Sequence, residues 1–341
     1  MEKKNPNLKT NLAVRIGYHG VNLTLKKEDF LTDRTIRLET ILRLNKESDN
    51  NMGGIERLIS IAKLNLEGLK KILEWNAEKG ITFYRSSSEL MPHITNQYLI
   101  KLGERDDYKK LVYPIEIFRH ELTEIRDIIH RNKMRITFHP GIHTVLNSDK
   151  PHVLINSKRD LYYHTELIRY FELEDTVIIL HGGNLNGQKE YYRQKLIENL
   201  NLLEPYLKKY IVLENDENSY NIYDMLLVHK STGLPIVFDQ FHHKLYYNTD
   251  EDLDIKKDYK LIDEIRHTWH KHRMKIHISE QNPNGRRGNH SEYLTYIPEW
   301  VFEFVEEFEE GIDVMIEAKA NELALERLYK KYKIMKKHIV L

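Results

Sequence analysis

Histidines and carboxylates recur in this sequence at one kind of position, at the end of a short run of β-branched or aromatic residues. The run RITFH ends in His139 ahead of a Pro-Gly turn, and VIILH ends in His181. Later runs carry such a residue within their last three positions, and the series is His139, His181, Glu214, Asp239, His277 and Glu317. Imidazole and carboxylate groups bind Mn²⁺, Zn²⁺ and Fe²⁺, and the chain has no cysteine to supply a thiolate. We interpret the series as the ligands of one metal cluster.

Several carboxylates beside several histidines indicate two or three metal ions, and we expect Mn²⁺, with Zn²⁺ or Fe²⁺ as alternatives. A ligand shared by two ions must be anionic and bidentate, which makes Glu214 and Glu317 the bridging candidates. Such a cluster activates water near neutral pH and stabilises charge on the attacking and leaving oxygens of a phosphodiester. The residue types therefore favour phosphodiester hydrolysis.

Two short segments add side chains to this series. In DQFHH, His242 follows Asp239 by three positions, so both can serve adjacent metals from one turn, although a helix-capping aspartate with a surface histidine would give the same pattern. In KIHIS, Lys275 and His277 are two positions apart and face the same side of a strand. Because an unpaired buried ammonium is costly, Lys275 is predicted to be ion-paired with a carboxylate or chemically modified.

The loop GRRGNH carries a histidine and two arginines after the seventh apolar run. His290 is a further candidate ligand. Arg286 and Arg287 would contact phosphates, or else remain solvated as an ordinary charged loop. The sequence alone leaves these two interpretations open.

The elements that must position these residues alternate along the whole chain. Each apolar run is followed by an amphipathic stretch long enough for a helix, such as the segment that ends at Gly80. The runs cover residues 14–19, 82–86, 135–139, 177–181, 211–215, 235–239, 275–279 and 313–317. Eight strands alternating with helices predict a single-domain α/β fold, a (β/α)₈ TIM barrel, in which functional groups lie at the C-terminal ends of the strands.

Composition limits the classes of protein that fit. Formal net charge is zero, so any DNA contact must come from local patches. No apolar run of about 18 residues and no signal peptide is evident. We expect a cytoplasmic protein with no membrane contact and no obligate protein partner, acting as a monomer. The expected domains are an N-terminal extension over 1–11, the barrel over 12–329 and a basic C-terminal tail over 330–341.

Eight motifs together resemble one family. RIGY, LMPHITN, ITFHPG, IILHGGN, VLENDENSY, VFDQFHH, KIHIS and DVMIEAK resemble, in order and spacing, the UV-damage endonuclease family of TIM-barrel repair nucleases, over nearly all of residues 12–329. The resemblance implies a divalent-metal-dependent endonuclease that cuts damaged double-stranded DNA on the 5′ side of a UV photoproduct or another lesion. The products would be a 3′-hydroxyl and a 5′-phosphate.

The resemblance also implies roles for individual residues. Glu214, Lys275 and His242 are the expected catalytic residues, and Lys275 matches a lysine that the family can carry as a carboxylated side chain. Tyr18 matches a tyrosine near the damaged nucleotides. The DNA-facing set is Tyr18, Ile142, His143, Arg286 and Arg287. The implied metal ligands are His139, His181, Glu214, Asp239, His242, His277, His290 and Glu317.

Two positions depart from the family pattern. After the His-Pro turn the family has a glutamine and an aromatic residue that enter the duplex, and this chain has Ile142 and His143. Ile142 could wedge between base steps and His143 could stack on a base, or the loop could merely pack. Near 92–96 the family's histidine is replaced by Asn96, with His93 three positions earlier. These departures bear on lesion recognition and catalytic efficiency, respectively.

Two other functions remain open at this point. A metal-dependent sugar isomerase or epimerase could use a similar cluster in the same barrel, and would have a narrow closed pocket. A catalytically silent DNA-binding relative is the other alternative, although such a protein would have no reason to keep eight converging ligands.

Overall fold

Eight parallel strands form a barrel in the computed structural model, which describes residues 13–100, 107–270, 272–335 and 339–341. The extension expected over 1–11 lies outside the described residues. The strands are β1 (Val14–His19), β2 (Phe83–Arg85), β3 (Arg135–Thr137), β4 (Ile178–His181), β5 (Ile211–Glu214), β6 (Ile236–Asp239), β7 (Met274–Ile278) and β8 (Ile312–Ile316). All eight predicted strands are present, with ends within two residues of the predicted ones.

The strands are ordered β3-β2-β1-β8-β7-β6-β5-β4, and every ladder is parallel. The two ends of this series, β3 and β4, meet through one isolated parallel bridge between Phe138 and Ile178. That bridge closes the barrel at a seam with fewer paired positions than any other pair of neighbouring barrel strands has. The (β/α)₈ fold predicted from the alternation of runs is confirmed.

Helices surround the strands and connect them. They are α1 (Leu23–Lys26), α2 (Leu38–Glu47), α3 (Gly53–Lys79), α4 (Arg119–Arg131), α5 (Pro151–Tyr170), α6 (Lys189–Asn201), α7 (Pro205–Lys208), α8 (Ile222–Thr232), α9 (Gln240–Tyr247), α10 (Tyr259–Thr268), α11 (Glu299–Phe308) and α12 (Asn321–Ile334). Helix α3 ends at Gly80, which adopts a left-handed φ of 76°, as the stop signal predicted. None of the helices in the described part of the chain is long and apolar enough to cross a membrane.

Alternation along the strands separates two sets of side chains. On β1, Ile16 and Tyr18 pack outward with the helices, whereas Arg15 and His19 belong to the barrel interior. Gly17 lies between these two interior residues, and a Cβ there would lie 2.3 Å from the Phe83 carbonyl oxygen. Only glycine therefore permits β1 and β2 to approach this closely.

The last segment of the chain packs against the barrel. Helix α12 continues to Ile334, and β9 (Ile339–Val340) pairs in parallel with the start of β1. The Thr82 hydroxyl donates to the Leu341 carbonyl oxygen over 2.8 Å. Much of the stretch expected as a basic tail is thus regular structure, because Ile339 buries its side chain against the core.

Candidate metal centre

Glu214 lies at the centre of the side chains that converge at the C-terminal end of the barrel. Its Oε1 is 2.7 Å from His277 Nδ1, and its Oε2 is 3.1 Å from His139 Nε2 and 3.7 Å from His181 Nε2. The four residues come from β3, β4, β5 and β7 or the positions just after them. One fully buried carboxylate therefore contacts three imidazoles through both of its oxygens.

Asp239 both caps a helix and faces this centre. Its Oδ1 accepts from the backbone N–H of His242 over 2.7 Å, which fixes the start of α9. Its Oδ2 has no hydrogen-bond partner and lies 3.9 Å from His277 Nδ1 and 4.0 Å from His242 Nδ1. The capping and ligand interpretations of DQFHH are therefore compatible, because each uses a different oxygen of Asp239.

Glu317 extends the centre toward β1 and β2. Its Oε1 lies 3.3 Å from His277 Nδ1 and also accepts from Arg85, and its Oε2 lies 3.8 Å from His290 Nδ1. The antiparallel bridge between Gln281 and His290 holds this last histidine beside the barrel mouth. We call the eight residues His139, His181, Glu214, Asp239, His242, His277, His290 and Glu317 the histidine–carboxylate cluster.

Lys275 is fully buried directly below the cluster. Its Nζ donates to the Thr137 hydroxyl over 3.1 Å and lies 5.5 Å from the centre of the Phe83 ring. It forms no ion pair with a carboxylate of the described residues. Burial, together with the positive charges of Arg85 and Arg135, holds the pKa of Lys275 well below its usual value. The ion-paired interpretation is therefore not met, and the lowered pKa favours the neutral amine.

The buried carboxylates of the cluster differ in their pKa values. Burial raises the pKa of Asp239 well above its ordinary value, and the charges of Glu214 and Glu317 add to this effect. Burial acts in the same direction on Glu214, but His277 and His181 hold its pKa well below the ordinary value. The pKa of His277 falls to about 4, chiefly through burial. Despite burial, the charges of Asp239 and Glu214 raise the pKa of His242 to about 10. Glu214 and His277 thus favour the forms that bind a divalent cation, whereas Asp239 and His242 would have to release protons when one binds.

Three groups of donor atoms in the cluster are close enough to bind ions. They are His139 with His181 and Glu214, Glu214 with His277 and Glu317, and Glu214 with Asp239 and His242; the donor atoms of each group lie within 4.8 Å of one another. Asp239 Oδ2, a buried oxygen that faces His277 and His242, has no hydrogen-bond partner. Buried polar atoms without a partner are rare in proteins, so this oxygen and the three groups of donor atoms fit a bound cation. Glu214 is common to all three groups, as expected for a bridging ligand.

The loop after β3 is exposed beside a cavity. Ile142 keeps 85% of its side-chain surface in solvent, and His143 is also exposed. Next to them is a cavity of about 580 Å³, with His139, His181 and His242 on one wall and Asn184 and Ser219 among the polar groups of the others. An exposed apolar tip beside a cavity of this size suits a wedge next to a displaced nucleotide.

Arg286 and Arg287 lie on the rim, in the loop that leads to His290, and both are exposed. Arg287 donates to the Leu245 carbonyl oxygen and lies 3.5 Å from Asn218 Oδ1. These contacts hold Arg287 between α9 and the loop that follows β5. The loop therefore presents two guanidinium groups to solvent within the same mouth as the cluster.

Tyr18 does not face this mouth. Its side chain is fully buried, and its hydroxyl donates to Asn76 Oδ1 over 2.8 Å and accepts from Asn22 Nδ2 over 3.1 Å. Because Tyr18 occupies an outward position of β1, it packs between the barrel and α3. The expected contact between Tyr18 and DNA is therefore absent from this conformation.

The departure near residue 96 stabilises a loop. His93 has a left-handed φ of 58°, and its Nε2 is 2.8 Å from the Ile36 carbonyl oxygen. Asn96 Nδ2 is 2.8 Å from His93 Nδ1. The two residues thus satisfy each other and the neighbouring backbone, and neither belongs to the three groups of candidate ligands.

Three residues near the cluster were missed from the sequence. His19 ends β1 close enough for Arg85, Glu317 and His290 to affect its pKa, which burial lowers to about 3. Arg85 ends β2 and pairs with Glu317. Glu217 lies 3.7 Å from His242 Nε2. A period-two count from Arg15 through Gly17 would have placed His19 inside the barrel, but Glu217 lies in a loop and gave no such signal.

Comparison with known proteins gives one consistent result. A family model described as UV-endonuclease UvdE matches residues 14–340. A putative UV-damage endonuclease of Acanthamoeba polyphaga mimivirus is 31% identical over 94% of this chain and 91% of that protein. The UV-damage endonuclease of Schizosaccharomyces pombe is also 31% identical over 94% of this chain, which spans only 51% of the yeast protein. A crystal structure of SacUVDE is 31% identical and superposes with a TM-score of 0.75 over 95% of this chain and 99% of that one.

Proposed function

This chain belongs to the UV-endonuclease UvdE family, and from that premise we propose that it is a metal-dependent DNA-repair endonuclease. It would hydrolyse the phosphodiester on the 5′ side of a UV photoproduct or another lesion, leaving a 3′-hydroxyl and a 5′-phosphate. The observation that carries the proposal is the convergence of three candidate ligand groups on Glu214.

The histidine–carboxylate cluster would hold two or three divalent ions, and Mn²⁺ is the ion we propose. When bound, such ions stabilise charge on the attacking and leaving oxygens of a phosphodiester and lower the pKa of water. Glu214 would contribute both oxygens and so set the spacing between ions. Arg85 would orient Glu317 through their ion pair, because a guanidinium with fixed geometry restricts the carboxylate to few orientations.

Lys275 would act as a positioning residue beneath the cluster. A neutral buried amine can attack carbon dioxide. Its nitrogen lone pair forms the N–C bond, and the electrons of one C=O π bond move to that oxygen. The nitrogen then releases one of its protons to solvent. The resulting carbamate would place an anionic group below Glu214 and Glu317, close to bound cations. We propose this carboxylated form of Lys275 for the metal-loaded protein, and a mass increase of one carbon dioxide in the intact holoprotein would detect it.

DNA would bind across the mouth of the barrel. Ile142 would enter the base stack, His143 would stack on an adjacent base, and Arg286 and Arg287 would contact phosphates on the opposite rim. Flipping a nucleotide costs a few kcal/mol and costs less at a lesion, so the gap filled by Ile142 would favour damaged sites. The protein would act as a monomer, because one barrel mouth carries all of these groups.

The two alternative functions are not favoured. A family match over nearly the whole chain, with curated relatives named as UV-damage endonucleases, supports a nuclease over a sugar isomerase. The cavity next to the cluster is open at the exposed Ile142 loop, whereas an isomerase pocket would be closed. Convergence of the eight residues opposes a silent relative.

Nicking of supercoiled plasmid by the purified protein with Mn²⁺ tests the proposal. Plasmid that is untreated, ultraviolet-irradiated or depurinated would be compared, with and without a chelator. We expect chelator-sensitive nicking of irradiated plasmid, and nicks that a DNA polymerase extends without further processing, because the 3′ end is a hydroxyl.

Glu214→Gln should reduce this nicking on the order of a thousandfold, since it removes the shared anionic ligand. Glu174→Gln, the same change at an exposed position before β4, serves as the matched control. Unreduced nicking by Glu214→Gln would overturn the assignment of the cluster. Nicks that need end repair before extension would overturn the proposed products.

A further inference from the structure

A second large cavity opens at the opposite end of the barrel, where the strands begin. Its volume is about 1230 Å³, and it is lined by residues that precede or start β1, β2, β3, β7 and β8, among them Arg15, Thr82, Lys133, Arg273 and Gly311. The candidate metal ligands line the other end. Nothing in the proposed nuclease function uses this cavity.

The floor of the cavity is a buried ionic cluster built on one carboxylate. Asp313 is fully buried and accepts from Arg15 Nε and Nη2 over 2.9 and 2.5 Å, from Arg135 Nη1 over 2.6 Å, and from Arg273 Nε over 2.5 Å. We call these four residues the arginine cluster. Three guanidinium groups thus share one aspartate. The arginine cluster therefore carries two positive charges that Asp313 does not neutralise.

The surroundings only partly balance this excess. Asp175 Oδ1 lies 3.2 Å from Arg135 Nη2 and 4.0 Å from His272 Nδ1, and it is half exposed. Glu310 at the rim forms an ion pair with Arg266, which donates to its Oε1 over 2.8 Å. The described cationic groups that line or underlie the cavity are Arg15, Lys79, Lys133, Arg135 and Arg273, against Asp175, Glu309 and Asp313.

Two further observations indicate that cations are crowded here. Arg135 is almost fully buried, yet its Nε and Nη2 atoms lack a hydrogen bond. Burial, together with the neighbouring charges of Arg15 and Arg135, lowers the pKa of Arg273 even though Asp313 is in direct contact with it. Arg15 and Arg273 line the cavity, so an anion that entered it would contact them and offset the positive charge around Arg135.

We propose that the cavity at the strand N-termini binds a small phosphorylated ligand, such as a phosphate monoester or a diphosphate. An anion with about two charges matches the excess of two among the described groups. Phosphate oxygens also suit guanidinium and ammonium donors approaching from several directions. Inorganic phosphate, pyrophosphate and a nucleoside monophosphate share this chemistry, and their relative affinities distinguish the source.

Calorimetric titration of the full, metal-free chain with pyrophosphate tests this proposal. Metal-free protein is used because pyrophosphate also binds divalent ions. We expect saturable binding of one equivalent, weakened by salt, and unchanged in Glu214→Gln because that residue lies at the other end of the barrel. Inorganic phosphate and adenosine monophosphate would be titrated in parallel.

A double variant, Lys133→Asn with His272→Gln, removes an exposed ammonium and an exposed imidazole from the cavity wall and leaves the arginine cluster intact. Asparagine suits position 133, where φ is 51°, so the fold should be retained. The matched control is Lys256→Asn with His120→Gln, which makes the same changes at exposed sites elsewhere. We expect the dissociation constant for pyrophosphate to rise about tenfold in the first variant and to stay within about twofold in the control.

Three results would overturn the proposal. The first is no binding of any of the three anions, and the second is equal affinity in the double variant and the wild type. The third is binding of a short DNA duplex that the double variant loses and pyrophosphate displaces, which would make this face a nucleic-acid surface. The proposal is supported if the wild type binds a phosphate monoester or a diphosphate and the double variant binds the same anion more weakly. None of these readouts depends on nicking, so the proposed nuclease function can fail or hold separately.

Discussion

The two ends of the barrel interior carry opposite kinds of buried charge. At the strand C-termini, three carboxylates converge with five imidazoles, and donor atoms such as Asp239 Oδ2 have no partner. At the strand N-termini, one carboxylate accepts from three guanidinium groups at hydrogen-bonding distance. At the lower end, the strand N-termini, Asp313 contacts all three cations directly and positive charge remains in excess. At the upper end, the strand C-termini, carboxylates come together and leave an oxygen such as Asp239 Oδ2 open to a cation. Stability and chemistry are thus separated along one barrel axis.

A matched pair of substitutions tests this comparison most directly. Asp313→Asn should lower the free energy of unfolding by about 3–5 kcal/mol, because it leaves three buried guanidinium groups without their carboxylate. Asp239→Asn should change that free energy by less than about 1 kcal/mol in metal-free protein, since asparagine also caps helices and repulsion from Glu214 and Glu317 disappears. Urea unfolding in the presence of a chelator measures both. Equal destabilisation by the two variants would contradict the separation.

Addition of Mn²⁺ should stabilise the protein through the upper end alone. At a concentration one hundred times the dissociation constant, one site adds about 2.7 kcal/mol to the free energy of unfolding. Thermal unfolding with and without Mn²⁺ would show this as a higher melting temperature. The gain should vanish in Glu214→Gln and persist in Glu174→Gln, and a gain that survives Glu214→Gln would place the ion elsewhere.

Acid should weaken the two ends in different pH windows in metal-free protein. The pKa of His277 is lowered to about 4, so its contribution is complete above its unfolded value of 6.5 and is lost as the pH falls from 6.5 to about 4. The pKa of Asp313 is also lowered, despite burial, because Arg15 and Arg135 favour the charged form. Its contribution is lost only as the pH falls below its ordinary value of 3.8.

The free energy of unfolding measured from pH 8 to pH 2 would resolve these windows. His277→Gln should remove the change in the free energy of unfolding between pH 6.5 and about 4. It should leave the change below pH 3.8 as it is in the wild type. A conservative change in the arginine cluster, Arg273→Lys, should affect the acid limb and leave the window above pH 4 unchanged. Identical profiles for both variants would show that the ends are not independent.

The exposed loop gives a smaller expected effect, on substrate choice. Ile142→Ala should reduce nicking of irradiated plasmid about tenfold, because a smaller side chain fills less of the gap in the base stack. Its free energy of unfolding should not change, since the side chain is in solvent. Comparison of nicking at irradiated and abasic sites measures the effect, and Leu202→Ala, at an exposed apolar residue elsewhere, is the control.

Tyr18→Phe should have the smallest effect. Loss of the hydroxyl leaves the Asn76 and Asn22 amides short of a partner and should cost about 1–2 kcal/mol of stability. Nicking should remain within about twofold of wild type, because the side chain is buried away from the mouth. A large loss of nicking at unchanged stability would instead restore the DNA-facing role expected for Tyr18.

The sequence predicted the barrel because its signal repeats. Eight apolar runs with a histidine or acid near the end can be found without knowing which strands pair, and convergence of strand ends then places His139, Glu214 and His277 together. Asp313 and its arginines were missed, because a charged residue inside a strand resembles an outward-facing one until the register is known. The Arg15–Asp313 pairing depends on β1 and β8, which are almost 300 positions apart. Burial of Tyr18 was equally invisible, since the family resemblance carried a role without the packing around it.

The thin seam between β3 and β4 has a consequence for how the barrel opens. The Phe138–Ile178 bridge is the one paired position between β3 and β4 among the described residues, against five between β7 and β8, so amide hydrogens of β3 and β4 should exchange with solvent sooner than those of β7 and β8. His139 and His181 flank this junction, and Glu214 stands on the next strand. An ion held by these three residues would bind both sides of the seam and slow this exchange. Closure of the barrel would then depend on the same site that the proposed chemistry uses.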